Sequence, residues 1–161
     1  MNIRETIADD LPAALALNNG SIPALNELDA AEIERLLGMT AFALTAEVDG
    51  AFAGFCITFP PGVDYASLNY AWFSRQYDDF VYLDRIAVDP AYRRLGIGKA
   101  FYDHVIDRFT GVFPQLLCEV NVRPLNEASL RFHHSIGFRE VGQQDTDGGN
   151  KTVSLLALPL G

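Results

Sequence analysis

The sequence contains few cysteines and few basic residues. Its two cysteines, Cys56 and Cys118, each lie within an apolar run and form no CxxC pair, so neither a disulfide framework nor a zinc site is indicated. We interpret both as buried thiols and expect no bound metal. Lysine and arginine number 12 against 21 aspartates and glutamates, a formal charge of -9. Such a surface is not designed to collect phosphate backbones, so no nucleic-acid partner is expected.

Long apolar stretches are also missing. No run approaches membrane-spanning length, and Met1 to Ala8 is polar and charged rather than a basic segment followed by an apolar core. We therefore expect a cytoplasmic protein without a membrane partner. The chain has 161 residues, of which 49% are hydrophobic, and this is enough to bury one core. A single domain over residues 1–161 is predicted.

Strand and helix signals alternate along the chain. The pattern predicts helices that start near Pro12, at Asp29, at Gly96 and after Asn126, the last of them ending at Gly137. Residues 60–79 read as the longest loop. Strands are predicted at 2–6, 41–48, 51–59, 81–88, 116–122, 139–144 and 152–158. The Asp-Gly turn at 49–50 favours a hairpin, so the fold class is mixed α/β rather than a purely parallel sheet.

The segment from Leu83 to Ala100 reads L-D-R-I-A-V-D-P-A-Y-R-R-L-G-I-G-K-A. Its order is strand, turn, glycine-rich entry and helix. Gly96 and Gly98 lack a Cβ and allow close backbone approach, while the first amides of a helix point outward with the positive end of its dipole. Arg93, Arg94 and Lys99 add formal charge beside those amides. The segment favours binding of a pyrophosphate over a merely tight turn.

These residues match neither a G-x-G-x-x-G dinucleotide fingerprint nor a GxxxxGK[ST] phosphate loop. Instead, the segment from Arg93 to Gly98 resembles the Q/R-x-x-G-x-G/A motif of the GNAT acyltransferase superfamily. The preceding residues 86–90 resemble that family's fourth strand and its exit. Asn126 to Phe138 resembles its later N-x-x-A-x-x-x-Y-x-x-x-G-F helix. The likeness runs from Leu83 to Phe138, about a third of the chain, in the family's order and spacing.

The resemblance implies a GNAT-like mixed sheet of about six or seven mostly antiparallel strands flanked by about four helices. It also implies acetyl-CoA as co-substrate, held between the fourth and fifth strands. The fourth strand would pair with the pantetheine arm, the amides from Arg94 to Lys99 would hold the pyrophosphate, and the later helix would meet the thiol end. The expected cofactor-binding residues are Ile86, Ala87, Val88, Arg93, Arg94, Leu95, Gly96, Ile97, Gly98, Lys99, Asn126, Ser129 and Phe132.

The same resemblance assigns catalytic roles to three residues. The Val88 N–H would stabilise the oxygen of the tetrahedral intermediate, and Glu119 on the fifth strand would be the general base. Strand alternation permits a cleft-facing Glu119 but also a solvent-facing one. His133 stands where the family usually has a tyrosine that protonates the departing thiolate. With an ordinary pKa of about 6.5 an imidazole could donate that proton, or the histidine could be structural.

The acceptor is expected beside the segment from Pro60 to Phe80, which is rich in aromatic residues. Its rings could form an acceptor pocket, make a dimer contact or pack as a lid on their own core. Tyr70, Trp72 and Asp84 are the predicted substrate-binding residues. We expect acetyl transfer to a primary amine of a small molecule, by a monomer or homodimer. A protein N-terminal or lysine acetyltransferase and a non-catalytic acetyl-CoA sensor are the alternatives.

Overall fold

The computed structural model describes residues 1–22 and 24–161, and within them it contains seven strands and five α-helices. The strands are β1 Asn2–Glu5, β2 Phe42–Val48, β3 Ala51–Phe59, β4 Val81–Val88, β5 Gln115–Arg123, β6 Arg139–Thr146 and β7 Lys151–Pro159. The helices are α1 Leu11–Asn19, α2 Ala30–Met39, α3 Leu68–Gln76, α4 Ile97–Phe109 and α5 Glu127–Ile136. None of these helices is long and apolar enough to cross a membrane.

The strands form one mixed sheet in the order β1-β2-β3-β4-β5-β7-β6. The β1–β2, β2–β3, β5–β7 and β6–β7 pairs are antiparallel, whereas β4 and β5 run parallel. The parallel ladder pairs Val81 with Leu116 and Tyr82 with Leu117. The predicted fold class, a mixed and mostly antiparallel sheet flanked by helices, is therefore confirmed.

The prediction of a loop over residues 60–79 was wrong, because this segment contains α3. The Ser67 side chain caps the helix by accepting a hydrogen bond from the Tyr70 N–H at 3.2 Å. Tyr70 and Phe73 are its two buried residues. One pair of buried positions three residues apart is too short a repeat to indicate a helix from sequence.

The chain divides into two compact units, and the first comprises Met1–Pro60 and Leu83–Arg108. Its core includes Cys56, which is fully buried as predicted. Burial, and secondarily the Asp84 carboxylate, raises the pKa of the Cys56 thiol, so this sulfur is held as an unreactive thiol. Helix α2 begins with a capping box in which Asp29 accepts from the Glu32 N–H at 2.8 Å.

The second unit comprises Pro61–Tyr82 and Phe109–Gly161. The β6–β7 hairpin turns through Asp147–Gly149, and β7 also pairs along β5 from Gln115 to Arg123. Helix α5 ends at Gly137, whose φ of 117° is in the left-handed region that glycine adopts without a Cβ penalty. The sheet and α5 together fix the positions of Glu119 and His133.

Candidate active site

A turn with two left-handed residues joins β4 to α4. Arg94 has a φ of 65° and Gly96 a φ of 81°. A Cβ built on Gly96 would meet no heavy atom within 4 Å. The space in front of the helix is therefore open on the Gly96 side, and the amides of the first α4 turn have no partner within their own helix.

The cationic side chains around this turn differ in whether they are paired with an acidic residue. Arg93 and Arg94 are exposed, and within the described residues no ion pair or hydrogen bond is found for either guanidinium. Lys99, by contrast, donates to Asp103 at 2.7 Å, which partly neutralises its ammonium. Leu95 is 53% exposed, while the Ile97 side chain is buried at 2% exposure. The turn thus offers backbone donors and two arginines to an anion, while Ile97 anchors the helix in the core.

These features fit the diphosphate of acetyl-CoA. A helix N-terminus with outward amides, flanked by cationic side chains, is a ready anion site. Gly98, the second residue of α4, is half-buried and adds no side chain where the ligand would approach. The groups predicted to hold the diphosphate are the Arg93 and Arg94 side chains and the amides from Arg94 to Lys99.

The backbone N–H groups at the end of β4 point alternately to its two edges. Asp89 N–H donates to the Ala53 carbonyl on β3 at 2.8 Å. Because successive N–H groups of a strand point to opposite edges, the Val88 N–H points away from β3. Ile86 and Val88 are half-buried and Ala87 is buried. Val88 therefore directs a main-chain donor to the β4 edge that does not face β3.

Gly54 on β3 lets β3 and β4 approach closely. A Cβ at this position would lie 2.6 Å from the Ala87 carbonyl oxygen and 3.4 Å from the Val88 Cα. Both are backbone atoms, so a side chain at position 54 could be accommodated only by shifting β4. Gly54 therefore helps to set the position of the predicted cofactor-binding strand, and the sequence analysis did not identify it.

Glu119 lies half-buried in β5 between the buried Cys118 and Val120. Its carboxylate oxygens Oε1 and Oε2 lie 2.8 and 2.7 Å from the hydroxyl of Tyr82, which is the donor. Tyr82 is fully buried on β4. The predicted base is thus a half-buried carboxylate held by a buried phenol.

Tyr82 was missed by sequence analysis. The signal was present, because Tyr82 pairs with Leu117 and Glu119 follows two residues later. Residues two apart on a strand share a face, so a parallel register between β4 and β5 would have brought the phenol and the carboxylate together. The contact could be predicted only once the pairing register of β4 and β5 was known.

His133 is buried in α5 with 5% exposure. Its Nδ1 lies 2.6 Å from the Ser129 carbonyl oxygen and 3.3 Å from the Ser129 hydroxyl. Burial, the main cause, and the nearby His134 lower the pKa of the imidazole, partly opposed by the Ser129 carbonyl. The contact and the lowered pKa favour a neutral ring, and the proton-donor role of His133 stays a prediction.

The three predicted ligand residues of α5 are half-buried. Asn126 caps the helix, since its side-chain oxygen accepts from the Ser129 N–H at 3.3 Å. Phe132 packs edge-on against the His133 ring with centroids 5.4 Å apart. Asn126 and Phe132 therefore have structural contacts of their own in addition to any role in binding.

The three predicted acceptor residues lie in packed surroundings. Tyr70 is buried at 4% exposure among aromatic rings. Trp72 lies over Gly142 of β6, where a Cβ would sit 2.6 Å from the indole Cζ2. The Asp84 side chain is 4% exposed and pairs with the Arg85 Nε at 2.6 Å. Of the alternatives for the aromatic segment, packing on its own core agrees best with these contacts.

Arg85 belongs to a buried polar network in the first unit. Its two terminal nitrogens donate to the side-chain oxygens of Asn18 at 2.9 Å and Asn26 at 3.1 Å. Asn18 in turn donates to the Asn26 carbonyl at 2.9 Å. The network ties the segment after α1 to β4. Elsewhere among the described residues, no group of three or more His, Cys, Asp or Glu could hold a metal ion.

The sequence model of the Acetyltransferase (GNAT) family matches residues 18–138. The chain belongs to this family. The match contains the α4 turn, Tyr82, Glu119 and His133, so the resemblance predicted from residues 83–138 is confirmed and extended toward the N-terminus. The GNAT fold also accounts for the mixed sheet with a single parallel pair among the pairings described above.

One sequence relative and two solved structures illustrate the relationship. The [Ribosomal protein bS18]-alanine N-acetyltransferase of Escherichia coli K12 is 36% identical over 84 residues, 48% of this chain and 55% of the relative. The chain thus spans about half the length of the curated relatives it matches.

Two solved structures extend the likeness to nearly the whole chain. The E. coli ribosomal-protein-S18-alanine N-acetyltransferase has a TM-score of 0.76 at 25% identity and covers 99% of this chain and 94% of its own. The structure of yncA from Salmonella typhimurium with its cofactor acetyl-CoA has a TM-score of 0.70 at 22% identity, covering 100% and 94%. The second likeness shows the fold alone.

Proposed function

We propose that this GNAT-family chain transfers the acetyl group of acetyl-CoA to a primary amine by direct attack in a ternary complex. The observation that carries the proposal is the Glu119 carboxylate, half-buried on β5 and held by the Tyr82 hydroxyl at 2.8 and 2.7 Å. An amine must lose a proton before it can attack a thioester. A fixed carboxylate supplies the required acceptor, directly or through water.

Two groups of the chain serve the attack on the thioester. Glu119 takes one proton from the ammonium, and the neutral nitrogen attacks the thioester carbonyl carbon. The C–N bond forms, the carbonyl becomes an oxyanion, and the Val88 N–H stabilises that charge. The C–S bond then breaks, the carbonyl re-forms, and the amide nitrogen loses its extra proton to water. The electrons of the C–S bond leave with the thiolate.

Protonation of the thiolate does not require His133. An alkyl thiol with a pKa of about 8.5 can leave as the thiolate and take a proton from water. His133 binds the Ser129 carbonyl through Nδ1 and is buried, so we propose that it orders α5 beside the ligand residues Ser129 and Phe132. This modifies the acid role that the family resemblance implied.

Acetyl-CoA is proposed to bind through three sets of residues. Arg93, Arg94 and the first amides of α4 would hold the diphosphate, and the backbone at Ile86 and Val88 would pair with pantetheine. Asn126, Ser129 and Phe132 would meet the thiol end. The open space at Gly96 and the exposed arginines support the first part of this assignment.

The acceptor is proposed to be the α-amine of a peptide N-terminus. Two observations favour it over the small-molecule amine that the aromatic segment had suggested. The relatives with 36% identity are named as alanine N-acetyltransferases of a ribosomal protein. Tyr70 and Trp72, on which the small-molecule preference depended, are engaged in packing. The small-molecule acceptor is not confirmed and remains the second candidate.

Thiol release from acetyl-CoA, measured with a panel of amines, tests the proposal. The panel contains a peptide beginning with alanine, the same peptide with a blocked N-terminus, a polyamine and free amino acids. The Glu119→Gln variant should lose turnover by about 100-fold or more. Glu127→Gln, an exposed residue of α5, is the matched control and should be unchanged.

Three results would contradict parts of the proposal. Full activity of Glu119→Gln would exclude Glu119 as the base. Turnover of small amines without turnover of the free peptide would favour the small-molecule acceptor. Acetyl-CoA binding with no turnover of any amine would favour the sensor alternative.

A further inference from the structure

The Tyr82 hydroxyl is aimed at the carboxylate that we assign as the base. Its oxygen lies 2.8 Å from Oε1 and 2.7 Å from Oε2 of Glu119, so its single hydrogen is placed between the two acceptors. Hydrogen bonds to an ionised acceptor are short and about twice as strong as neutral ones. A contact of this kind both holds the side chain and favours the charged carboxylate.

Tyr82 cannot serve the reaction by touching the acceptor, since its exposure is 0%. Its ring lies instead in an aromatic cluster formed with α3. The Tyr70 and Phe73 ring centroids lie 5.5 and 5.8 Å from that of Tyr82, with interplanar angles of 57° and 51°. Tilted pairs at this spacing are favourable and resist rotation of the ring between them.

The cluster is itself anchored. Tyr70 is buried at 4% exposure, and its hydroxyl accepts from the Val63 N–H at 3.3 Å. Phe73 is fully buried and makes a perpendicular contact with Trp72, whose indole lies over Gly142. A rigid support for the Tyr82 ring therefore extends from α3 to β6. Precise placement of a catalytic group depends on such support.

We propose that Tyr82 is a positioning residue for the Glu119 base, and that α3 holds Tyr82 in place through Tyr70 and Phe73. The aromatic segment that sequence reasoning assigned to the acceptor thus serves the catalytic carboxylate instead. This inference rests on the proposed function, because it gives Tyr82 a role only if Glu119 removes the proton. Loss of this support should lower turnover rather than weaken acetyl-CoA binding, because none of the three rings is a predicted acetyl-CoA contact.

Tyr82→Phe keeps the ring and its packing but removes the hydroxyl. With acetyl-CoA and the fastest amine of the panel above, we expect kcat to fall about 10- to 100-fold while KM for acetyl-CoA stays within about twofold. Tyr102→Phe is the matched control, because it removes the hydroxyl of another buried tyrosine, on α4, that has no role in the proposed site. It should keep wild-type kcat. Phe73→Leu, which loosens the cluster, should lower kcat but less than Tyr82→Phe.

The same substitution is then made in the Glu119→Gln background, with enough enzyme to measure the residual rate. A residue that acts through Glu119 should have little further effect there, so the two losses should not multiply. Wild-type kcat for Tyr82→Phe, or an equal fold-loss in both backgrounds, would overturn the inference. If Glu119→Gln is fully active or no amine reacts, the proposed function itself fails, which is a distinguishable result.

Discussion

His133 places its Nδ1 2.6 Å from the backbone carbonyl oxygen of Ser129, one turn earlier in α5. A carbonyl oxygen only accepts hydrogen bonds, so Nδ1 carries the hydrogen and Nε2 of the neutral ring carries none. Phe132 and Phe138 pack against the ring at centroid distances of 5.4 and 5.5 Å. These contacts explain why burial lowers the pKa of His133.

Acid should therefore destabilise the fold through His133. Its pKa is lowered on folding, so the unfolded chain binds the proton more readily below about pH 6.5. The stability contributed by neutral His133 is complete above that pH and is lost as the pH falls. Urea unfolding measured from pH 7.5 to 5.5 gives the free energy of unfolding at each pH. This free energy should fall more steeply with decreasing pH for wild type than for His133→Gln, by up to about 1.4 kcal/mol per pH unit.

The neighbouring His134 provides the control for that experiment. It is exposed at the adjacent position of α5, and His134→Gln should keep the wild-type slope. Parallel pH dependences of wild type and His133→Gln would contradict the assignment of a buried neutral imidazole.

Gly98→Val should impair acetyl-CoA binding while leaving the fold intact. The change adds methyl groups at the second position of α4, where the backbone is proposed to approach the diphosphate. We expect the calorimetric Kd to rise about tenfold or more. Gly38→Val is the matched control, because Gly38 is an exposed residue of α2 with open space around its Cβ position. Equal affinities of the two variants would exclude a close approach at Gly98.

Gly54→Ala should destabilise the first unit. The added Cβ would lie 2.6 Å from the Ala87 carbonyl oxygen, so β4 must shift. Overpacking of this kind costs about 1–3 kcal/mol of unfolding free energy. Gly38→Ala should instead be neutral or stabilising, since alanine favours a helix. A Gly54→Ala variant as stable as wild type in urea would show that the two strands have room to separate.

Arg85→Met should be strongly destabilising. The substitution leaves the Asp84 carboxylate, 4% exposed, without its cation and removes the donors to Asn18 and Asn26. Breaking a buried pair costs about 3–5 kcal/mol. Arg131→Met breaks an exposed pair with Glu127 and should cost less than about 1 kcal/mol. Adding Asp84→Asn to Arg85→Met should recover part of the lost unfolding free energy. Similar losses for Arg85→Met and Arg131→Met would contradict a stabilising role for the buried pair.

Local sequence patterns predicted the parts of the fold that local physics determines. The strand 81–88 and the hairpin turn at 49–50 were correct because alternation and left-handed turn residues act within a few positions. Gly137 was correct as a helix cap for the same reason. Helix α3 was missed since its stability comes from burial of Tyr70 and Phe73 against distant residues rather than from a long apolar repeat.

The same distinction between local sequence patterns and packing applies to the predicted site. The α4 turn could be recognised because its glycines and arginines are contiguous in sequence. The partners of Glu119, His133 and Asp84 could not all be recognised, since they depend on packing. Tyr82 is 37 positions from Glu119, and Asp84 pairs with its neighbour Arg85 where both side chains are buried.

Calorimetric titration of the purified, folded protein with acetyl-CoA and with free coenzyme A tests the central claim most directly. The exposed amides and arginines at the start of α4 predict saturable binding of both, weakened by salt and by Gly98→Val. Absence of measurable affinity for either compound in a folded sample would contradict it.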